Sequence, residues 1–234
     1  GGSIRLPATI CGLVGMKPTQ TRTSRHGVMP LSYSLDNAGP LTRTVADCAR
    51  MMEAISGADA KDPTCSEEPV PPYESLLEGA DARGVRIGVP VNHYYDHATD
   101  AVKAALAASL EVYRGLGAEI LEVTVPDHTV LRDLLGTILR GEAAGIHAEW
   151  LTTRRDDYAA EVRTRIEAGL YLPAVRYLEA MRLRPLMLRE FLDTVFDKVD
   201  VLHVPGLAVA VPTLADTDAA ASGDALGLNE QLAW

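Results

Sequence analysis

Residues 85–125 read VRIGVPVNHYYDHATDAVKAALAASLEVYRGLGAEILEVTV, and the order of apolar residues in this stretch decides the fold. Two short runs predict strands, because their apolar residues lie at Val85, Ile87 and Val89 and at Ile120, Val123 and Val125. The residues between them predict a helix, which Thr99 can cap and Gly117 ends. Its apolar face is formed by Val102, Leu106, Leu110 and Tyr113. A strand, a helix and a strand at this spacing predict a right-handed crossover onto a parallel sheet.

The residues after this unit are predicted to be almost wholly helical from about residue 129 to residue 199. The later helical segment is expected to be interrupted near Pro185, because proline has no backbone N–H to donate inside a helix. Residues 199–204 predict a further short strand. The sequence therefore indicates an α/β protein with a mixed, largely parallel central sheet flanked by helices, and with a helical, cap-like region at residues 129–198.

The residues before this unit are rich in glycine and proline. Their spacing over residues 1–40 predicts loops and short strands, with no helix that completes two turns. Thr44-x-x-Asp47 then resembles a capping box with Asp in place of Glu, so a helix is predicted from there to a stop at Gly57. We expect a single domain over residues 1–234. Its parts are a loop-and-helix segment at 1–57, an irregular connection at 58–83, the strand–helix–strand unit at 84–126 and the helical region at 129–198.

The composition excludes several classes of function. Hydrophobic residues are 47% of the 234 residues and charged residues are 23%, values typical of a folded globular protein. The formal net charge of −10 repels phosphate backbones and anionic lipid head groups, so neither nucleic acid nor a membrane is expected as a partner. The sequence contains no long apolar run and no signal-peptide pattern, which predicts a cytoplasmic location. Cys11, Cys48 and Cys65 form no CxxC and are expected to be reduced thiols.

Ser3 is the strongest candidate for a chemically active residue. It follows Gly1 and Gly2, where the backbone can bend sharply and where unhindered N–H groups can face a ligand oxygen. An acyl-transfer nucleophile needs a free hydroxyl and nearby amide donors that stabilise the oxyanion. The same three residues are also typical of a flexible linker or a cloning remnant. The residues that follow favour the first interpretation.

Three segments carry a specific resemblance. They read Gly1-Gly2-Ser3-Ile4-Arg5-Leu6-Pro7-Ala8, Cys11-Gly12-Leu13-Val14-Gly15-Met16-Lys17-Pro18-Thr19, and Ser34-Leu35-Asp36-x-x-Gly39-Pro40-x-x-Arg43. In order and spacing they closely resemble the second half of the signature of the amidase signature family, whose members are serine-dependent amide hydrolases. The resemblance continues less tightly over nearly the whole chain and includes Glu142, His147 and Tyr177.

The resemblance implies a function and assigns roles to the residues. The activity would be hydrolysis of a small-molecule carboxylic amide through an acyl-enzyme, with no cofactor. Ser3 would be the nucleophile, and the backbone amides of Gly1, Gly2 and Ser3 would form the oxyanion hole. Arg5 would order the site, because its guanidinium can bind several carbonyls or a carboxylate. In the family, a second serine held through a cis peptide and a buried, neutral lysine activate the nucleophile.

The chain also departs from the family pattern. The base lysine and the bridging serine belong to a segment before the nucleophile, and Lys17 matches a different lysine that we interpret as structural. The segment that usually follows the end of this chain is absent as well, so we interpret the chain as an internal fragment of about half a family member, inactive alone. At His203-Val204-Pro205-Gly206, relatives often have a Thr-Pro-Thr pattern, so the resemblance does not predict the structure of this loop.

Other interpretations remain open. The same signature occurs in the glutamine-hydrolysing component of transfer-RNA-dependent amidotransferases, and a catalytically incomplete, non-enzymatic piece is a third possibility. A homodimer is a possible assembly. His93 and His97 are four residues apart, but they lie in a predicted loop without a third ligand, so no metal site is predicted. Cys11 with His26 as base is disfavoured, because a cysteine in an apolar run is usually a small buried residue.

Overall fold

A computed structural model describes residues 2–127 and 129–217. The helices are α1 (Gly2–Ile10), α2 (Val45–Ile55), α3 (Asp100–Gly115), α4 (Thr129–Thr153), α5 (Ala160–Glu167), α6 (Ala174–Phe191) and α7 (Leu214–Thr217). The strands are β1 (Val14–Gly15), β2 (Leu41–Thr42), β3 (Arg86–Pro90), β4 (Glu119–Val123) and β5 (Val201–Leu202). Short 3₁₀ turns lie at Ser75–Leu77, Arg155–Asp157 and Ala168–Tyr171, and a π-helical turn at Leu192–Phe196 follows α6. In these described residues, no helix is long and apolar enough to cross a membrane.

The predicted strand–helix–strand unit is confirmed. β3 lies between β4 and β5 and is parallel to both, with Ile87 opposite Ile120 on one side and opposite Val201 on the other. Gly88 in the middle strand leaves room for its neighbours, since a Cβ there would lie 2.9 Å from side-chain atoms of Leu202 and Val199. A buried cluster covers this sheet and consists of Val123, Val125, Val195 and Val199. The protein therefore has the expected α/β fold, with β1 and β2 forming a separate antiparallel pair.

The predicted helical character of residues 129–199 is also confirmed, but the break near Pro185 is not. α6 continues through Pro185 to Phe191 and packs along α4. The missing N–H of Pro185 removes one hydrogen bond, to the carbonyl of Met181. Because α6 is held against α4, with Ala180 completely buried, this local loss does not end the helix. A second buried cluster joins α4 to α5 and contains Ala143, Ala144, Leu151 and Ile166.

The prediction that residues 1–40 contain no helix of two complete turns is wrong. Residues 2–10 form α1, a nine-residue helix that contains Pro7. Ile4 and Ala8 lie four residues apart on one face of α1 and are both buried. Their burial against β1 stabilises a helix that the local composition does not favour.

The predicted helix start at Thr44 is confirmed, although the carboxylate of Asp47 accepts from the hydroxyl of Thr44 and not from its backbone N–H as in a complete capping box. Thr44 precedes α2, and its hydroxyl accepts a hydrogen bond from the backbone N–H of Asp47 over 3.0 Å. The helix ends at Ile55, two residues before Gly57, whose φ of 119° is in the region that favours glycine. α2 contacts β2, and β2 pairs with β1. Because α1 packs on β1, this segment lies behind the helix that carries Ser3.

Candidate active site

Ser3 lies in the first turn of α1 and is exposed. The buried face of this helix is formed by Ile4 and Ala8, so Ser3 lies away from the core. The first N–H groups of an α-helix have no partner inside the helix, and the helix dipole places a partial positive charge there. An exposed hydroxyl beside such N–H groups is well placed for chemistry that develops negative charge on a substrate oxygen.

The space around Ser3 is open on the side of Gly2. Among the described residues, no atom apart from those of its chain neighbours and of the α1 backbone lies within 4 Å of the point that a Cβ on Gly2 would occupy. Gly1, the other residue predicted for the oxyanion hole, lies outside the described residues. Gly2 and Ser3, which are neighbours in the chain, therefore both lie in the first turn of α1.

Arg5 and Lys17 place positive charge near this end of α1. Arg5 is exposed, and Lys17 donates a hydrogen bond from Nζ to the carbonyl of Pro18. Burial, and then the charge of Arg5, lower the pKa of Lys17. Lys17 thus lies against the backbone that follows β1. The ordering role predicted for Arg5 stays a prediction.

A half-buried carboxylate joins the loop between β1 and β2, residues 16–40, which we call the signature loop, to the helical region. Glu142 on α4 accepts hydrogen bonds from the hydroxyl of Ser32, from the backbone N–H of Ser34 over 2.9 Å and from the hydroxyl of Tyr177 over 2.8 Å. Burial opposes the charge of Glu142, but these hydrogen bonds outweigh it, so the pKa of the carboxyl lies below its ordinary value. Arg184 on α6 also donates to the carbonyl of Ser34.

Sequence reasoning did not find this contact. The sequence marks Glu142 only through the family resemblance, although it directly precedes the buried residues Ala143 and Ala144. A carboxylate next to buried positions on a helix needs hydrogen-bond donors, and that is the signal that could have identified it. The residue that supplies its hydroxyl, Ser32, is completely buried and lies 110 residues away in the chain.

Two further carboxylates fix the same loop. Asp36 accepts from the backbone N–H of Leu31 over 2.8 Å and from that of Ser32 over 3.0 Å. Asp62 accepts from the backbone N–H of Arg25 over 2.8 Å and from the hydroxyl of Thr64 over 2.6 Å. Both aspartates line a shallow cleft of about 280 Å³, together with Arg25, His26, Gly27, Val28, Pro30, Tyr33 and Lys61. Ser3 is not among the residues of this cleft.

The loop that follows β5 approaches α1. His203 at its start is half-buried, and burial lowers its pKa. Its Nδ1 lies 3.0 Å from the hydroxyl of Tyr95, and its Nε2 lies 3.2 Å from the hydroxyl of Ser109. Three residues later, a Cβ on Gly206 would lie 2.5 Å from Oγ1 of Thr9 on α1. The segment that departs from the family pattern therefore touches the helix that carries Ser3.

The expectation for Cys11 needs a correction. The sequence predicts a small buried residue at this position, but Cys11 is exposed. It directly follows the last residue of α1, where its backbone N–H donates to the carbonyl of Pro7 over 3.0 Å. The turn that closes α1 therefore leaves the side chain at the surface. Across residues 2–127 and 129–217, no group of three or more His, Cys, Asp or Glu side chains could hold a metal ion.

Comparisons with known proteins agree with the resemblance. A family model described as Amidase matches residues 1–234. An amidase of Pseudomonas putida is 39% identical over 210 residues, which are 89% of this chain and 45% of the relative. A glutamyl-tRNA(Gln) amidotransferase component of Geobacter sulfurreducens is 38% identical over 229 residues, which cover 88% of this chain and 47% of that protein.

A solved structure shows the same fold. It is an inhibitor-bound form of a vestigial protein complex, described as revealing the evolutionary origins of an s-triazine catabolic enzyme. The TM-score is 0.82 at 31% sequence identity, with 91% of this chain and 45% of that chain covered. The chain therefore spans about half the length of the relatives that it matches.

Proposed function

Because this chain belongs to the amidase signature family, we propose that the protein hydrolyses a carboxylic amide to an acid and ammonia or an amine through an acyl-enzyme on Ser3. The observation that carries this proposal is the position of Ser3, an exposed serine in the first turn of α1. A small-molecule amide is the expected substrate, and no cofactor takes part.

In the proposed reaction, Oγ of Ser3 attacks the carbonyl carbon of the amide and loses its proton to a base. The backbone N–H groups of Gly2 and Ser3 stabilise the oxyanion of the tetrahedral intermediate. The C–N bond then breaks as the leaving nitrogen takes up a proton. Water attacks the resulting ester, which releases the acid and restores the serine. The base in this scheme is the lysine, which acts through the bridging serine. The resemblance implies that both residues lie outside this chain.

Lys17 is not the base in this scheme. Its ammonium donates to the neighbouring carbonyl of Pro18, and this contact with the backbone fits a structural lysine. Arg5 lies two residues after Ser3 and is exposed, so its guanidinium is available to order the turn or a substrate carboxylate. We assign it a supporting role.

The test is Ser3→Ala in the full-length natural protein. Removal of an acyl-transfer nucleophile is expected to lower kcat on amides by about 10⁴-fold or more, with an unchanged circular dichroism spectrum. Ser75→Ala, at an exposed serine whose hydroxyl contacts the carbonyl of Pro72, is the matched control. Appreciable activity of Ser3→Ala would contradict the assignment.

A serine-directed phosphonate probe gives an independent readout. The natural protein is expected to react at Ser3, as located by peptide mass spectrometry, and Ser3→Ala is expected not to react. A folded natural protein that neither reacts at Ser3 nor hydrolyses amides would instead support the non-enzymatic alternative.

A second candidate function is glutamine hydrolysis as one component of an amidotransferase. It is favoured by the 38% identity to the amidotransferase component of Geobacter sulfurreducens. Co-purification with partner proteins and release of ammonia from glutamine would support it. Hydrolysis of other amides by the protein alone, without such partners, would support the stand-alone amidase. A homodimer is the assembly proposed for that enzyme. A cytoplasmic location is part of both proposals.

A further inference from the structure

The helix that carries Ser3 lies unusually close to the strand beneath it. A Cβ on Gly15 of β1 would lie 2.4 Å from Cβ of Ala8 and 3.0 Å from the carbonyl oxygen of Ile4. Contacts below 3.0 Å cannot be accommodated without movement. The absence of a side chain at Gly15 is therefore what allows α1 to rest directly on the backbone of β1.

Two other glycines contact α1 or its support from different directions. A Cβ on Gly39 would lie 2.1 Å from the carbonyl oxygen of Met16 and 3.0 Å from Cδ1 of Ile4. A Cβ on Gly206 would lie 2.5 Å from Oγ1 of Thr9 near the other end of the helix. We call Gly15, Gly39 and Gly206 the α1 seat.

The backbone does not require glycine at these three positions. Among the described residues, the glycines with positive φ are Gly12, Gly27, Gly57, Gly79, Gly84 and Gly117. At Gly15, Gly39 and Gly206, φ is therefore outside the left-handed region that favours glycine. What these glycines provide is space, so an added methyl group acts on the position of α1.

We propose that the α1 seat positions the nucleophile, so that these glycines are positioning residues for Ser3. The proposal rests on the proposed function. The added Cβ would lie nearest to Cβ of Ala8, at 2.4 Å, and next to the carbonyl oxygen of Ile4, at 3.0 Å; Ile4 is joined to Ser3 by a peptide bond. A methyl group on Gly15 that pushes on Cβ of Ala8 displaces α1, and with it the first turn that presents the Ser3 hydroxyl and its N–H groups. A misplacement of about 1 Å in a reacting group costs on the order of 10²-fold in rate.

The principal test is Gly15→Ala in the full-length natural protein. We expect kcat, and the rate constant for reaction of Ser3 with a phosphonate probe, to fall by about 10- to 100-fold. KM is expected to change by less than about threefold, since displacement of a reacting group acts on the transition state more than on substrate binding. The assay temperature is set below the melting transition of each variant, so that a loss of stability alone leaves the rate constants unchanged.

A second substitution identifies the cause. Ala8→Gly removes the atom that lies 2.4 Å from the added methyl group, so Gly15→Ala combined with Ala8→Gly is expected to recover most of the lost rate. Ala8→Gly alone is the reference for this recovery. Gly145→Ala is the control, because this exposed glycine of α4 has no other atom within 4 Å of a Cβ position and should react at the normal rate.

If Gly15→Ala does not fold, Gly206→Ala is the variant that tests the positioning role of the α1 seat. It presses on the exposed side chain of Thr9, so it is expected to fold, to lower the rate by about two- to fivefold, and to be rescued by Thr9→Ala.

A normal rate in a folded seat variant, or no recovery in the paired variant, would overturn the positioning role while leaving the proposed function intact. A natural protein that does not react at Ser3 would overturn both.

Discussion

At the scale of single residues, Thr21 adopts a backbone conformation that does not suit it. Its φ is 74°, in the left-handed region that is costly for a β-branched residue and free for glycine. The turn is fixed from outside, because the Thr21 carbonyl accepts a hydrogen bond from the backbone N–H of Ser66 over 2.8 Å. We expect Thr21→Gly to raise the free energy of unfolding by about 1 kcal/mol, as measured by chemical denaturation.

The control for this prediction is Thr19→Gly, two residues away. Thr19 is not among the described non-glycine residues with positive φ, so glycine there only adds entropy to the unfolded chain. The free energy of unfolding of the Thr19→Gly variant should therefore fall. A decrease for Thr21→Gly of the same size would show that the left-handed turn is not strained.

Asp62 makes the stability of the signature loop depend on pH. The hydroxyl of Thr64 and the backbone N–H of Arg25 are the principal donors that lower the pKa of its carboxyl from 3.8 to about 2. The folded protein therefore binds this proton less readily than the unfolded chain does. The stabilisation is fully present above about pH 4 and is lost as the pH falls toward 2.

Asp62→Asn tests this dependence. We expect the variant to be less stable at neutral pH and to lose less stability between pH 4 and pH 2, as followed by thermal melts across that range. Asp156→Asn is the matched control, since the side chain of Asp156 is 96% exposed. Parallel acid profiles for Asp62→Asn and the natural protein would refute the assignment.

At the scale of elements, Glu142 is the link between α4 and the signature loop. Removing its charge in Glu142→Gln leaves the buried hydroxyl of Ser32 and the hydroxyl of Tyr177 with a weaker acceptor. We expect the free energy of unfolding to fall by about 1–3 kcal/mol, measured by chemical denaturation. Tyr177→Phe removes only one donor and should cost less.

Glu149→Gln supplies the comparison for this link. Glu149 lies on the same helix and is exposed, so the change should be within about 0.5 kcal/mol of zero. Equal losses for Glu142→Gln and Glu149→Gln would mean that the contact with the loop does not stabilise the fold.

Elements whose cause is local could be predicted, and those with a distant cause could not. The apolar spacing of α3 and the capping residue Thr44 act within a few neighbours, so the sequence alone indicates them. α1 and the continuous α6 exist because Ile4, Ala8 and Ala180 are buried against other elements. The prolines in these helices predict an interruption. The burial that outweighs them is not visible in a local sequence pattern.

At the scale of the whole molecule, the candidate site divides in the same way. Ser3 could be identified from a motif that is contiguous in the chain. The bond between Ser32 and Glu142 spans 110 residues, and the approach of Gly206 to Thr9 joins the two ends of the described chain. Such contacts follow from the packing of α1, α4 and the loop after β5. The sequence alone shows a carboxylate and a glycine at these positions but not the residues that they contact.

The chain of 234 residues, expressed alone, is expected to self-associate. Within the described residues, β4 and β5 each pair only with β3, so each has one side without a strand neighbour. α6 and the turn before it expose apolar side chains at Tyr171, Val175 and Leu178, which are 85%, 68% and 63% exposed. Exposed apolar surface of this kind drives association even though the net charge of −10 opposes it.

Light scattering coupled to size exclusion measures this association. The triple variant Tyr171→Glu, Val175→Lys and Leu178→Glu should shift the chain toward monomer, because charged side chains at these positions replace apolar surface. The conservative triple Tyr171→Phe, Val175→Ile and Leu178→Met keeps that surface and should associate as the natural sequence does. A monodisperse monomer with a sharp melting transition for the natural sequence would contradict the prediction, because the exposed strand sides and helix face would then be stable in water.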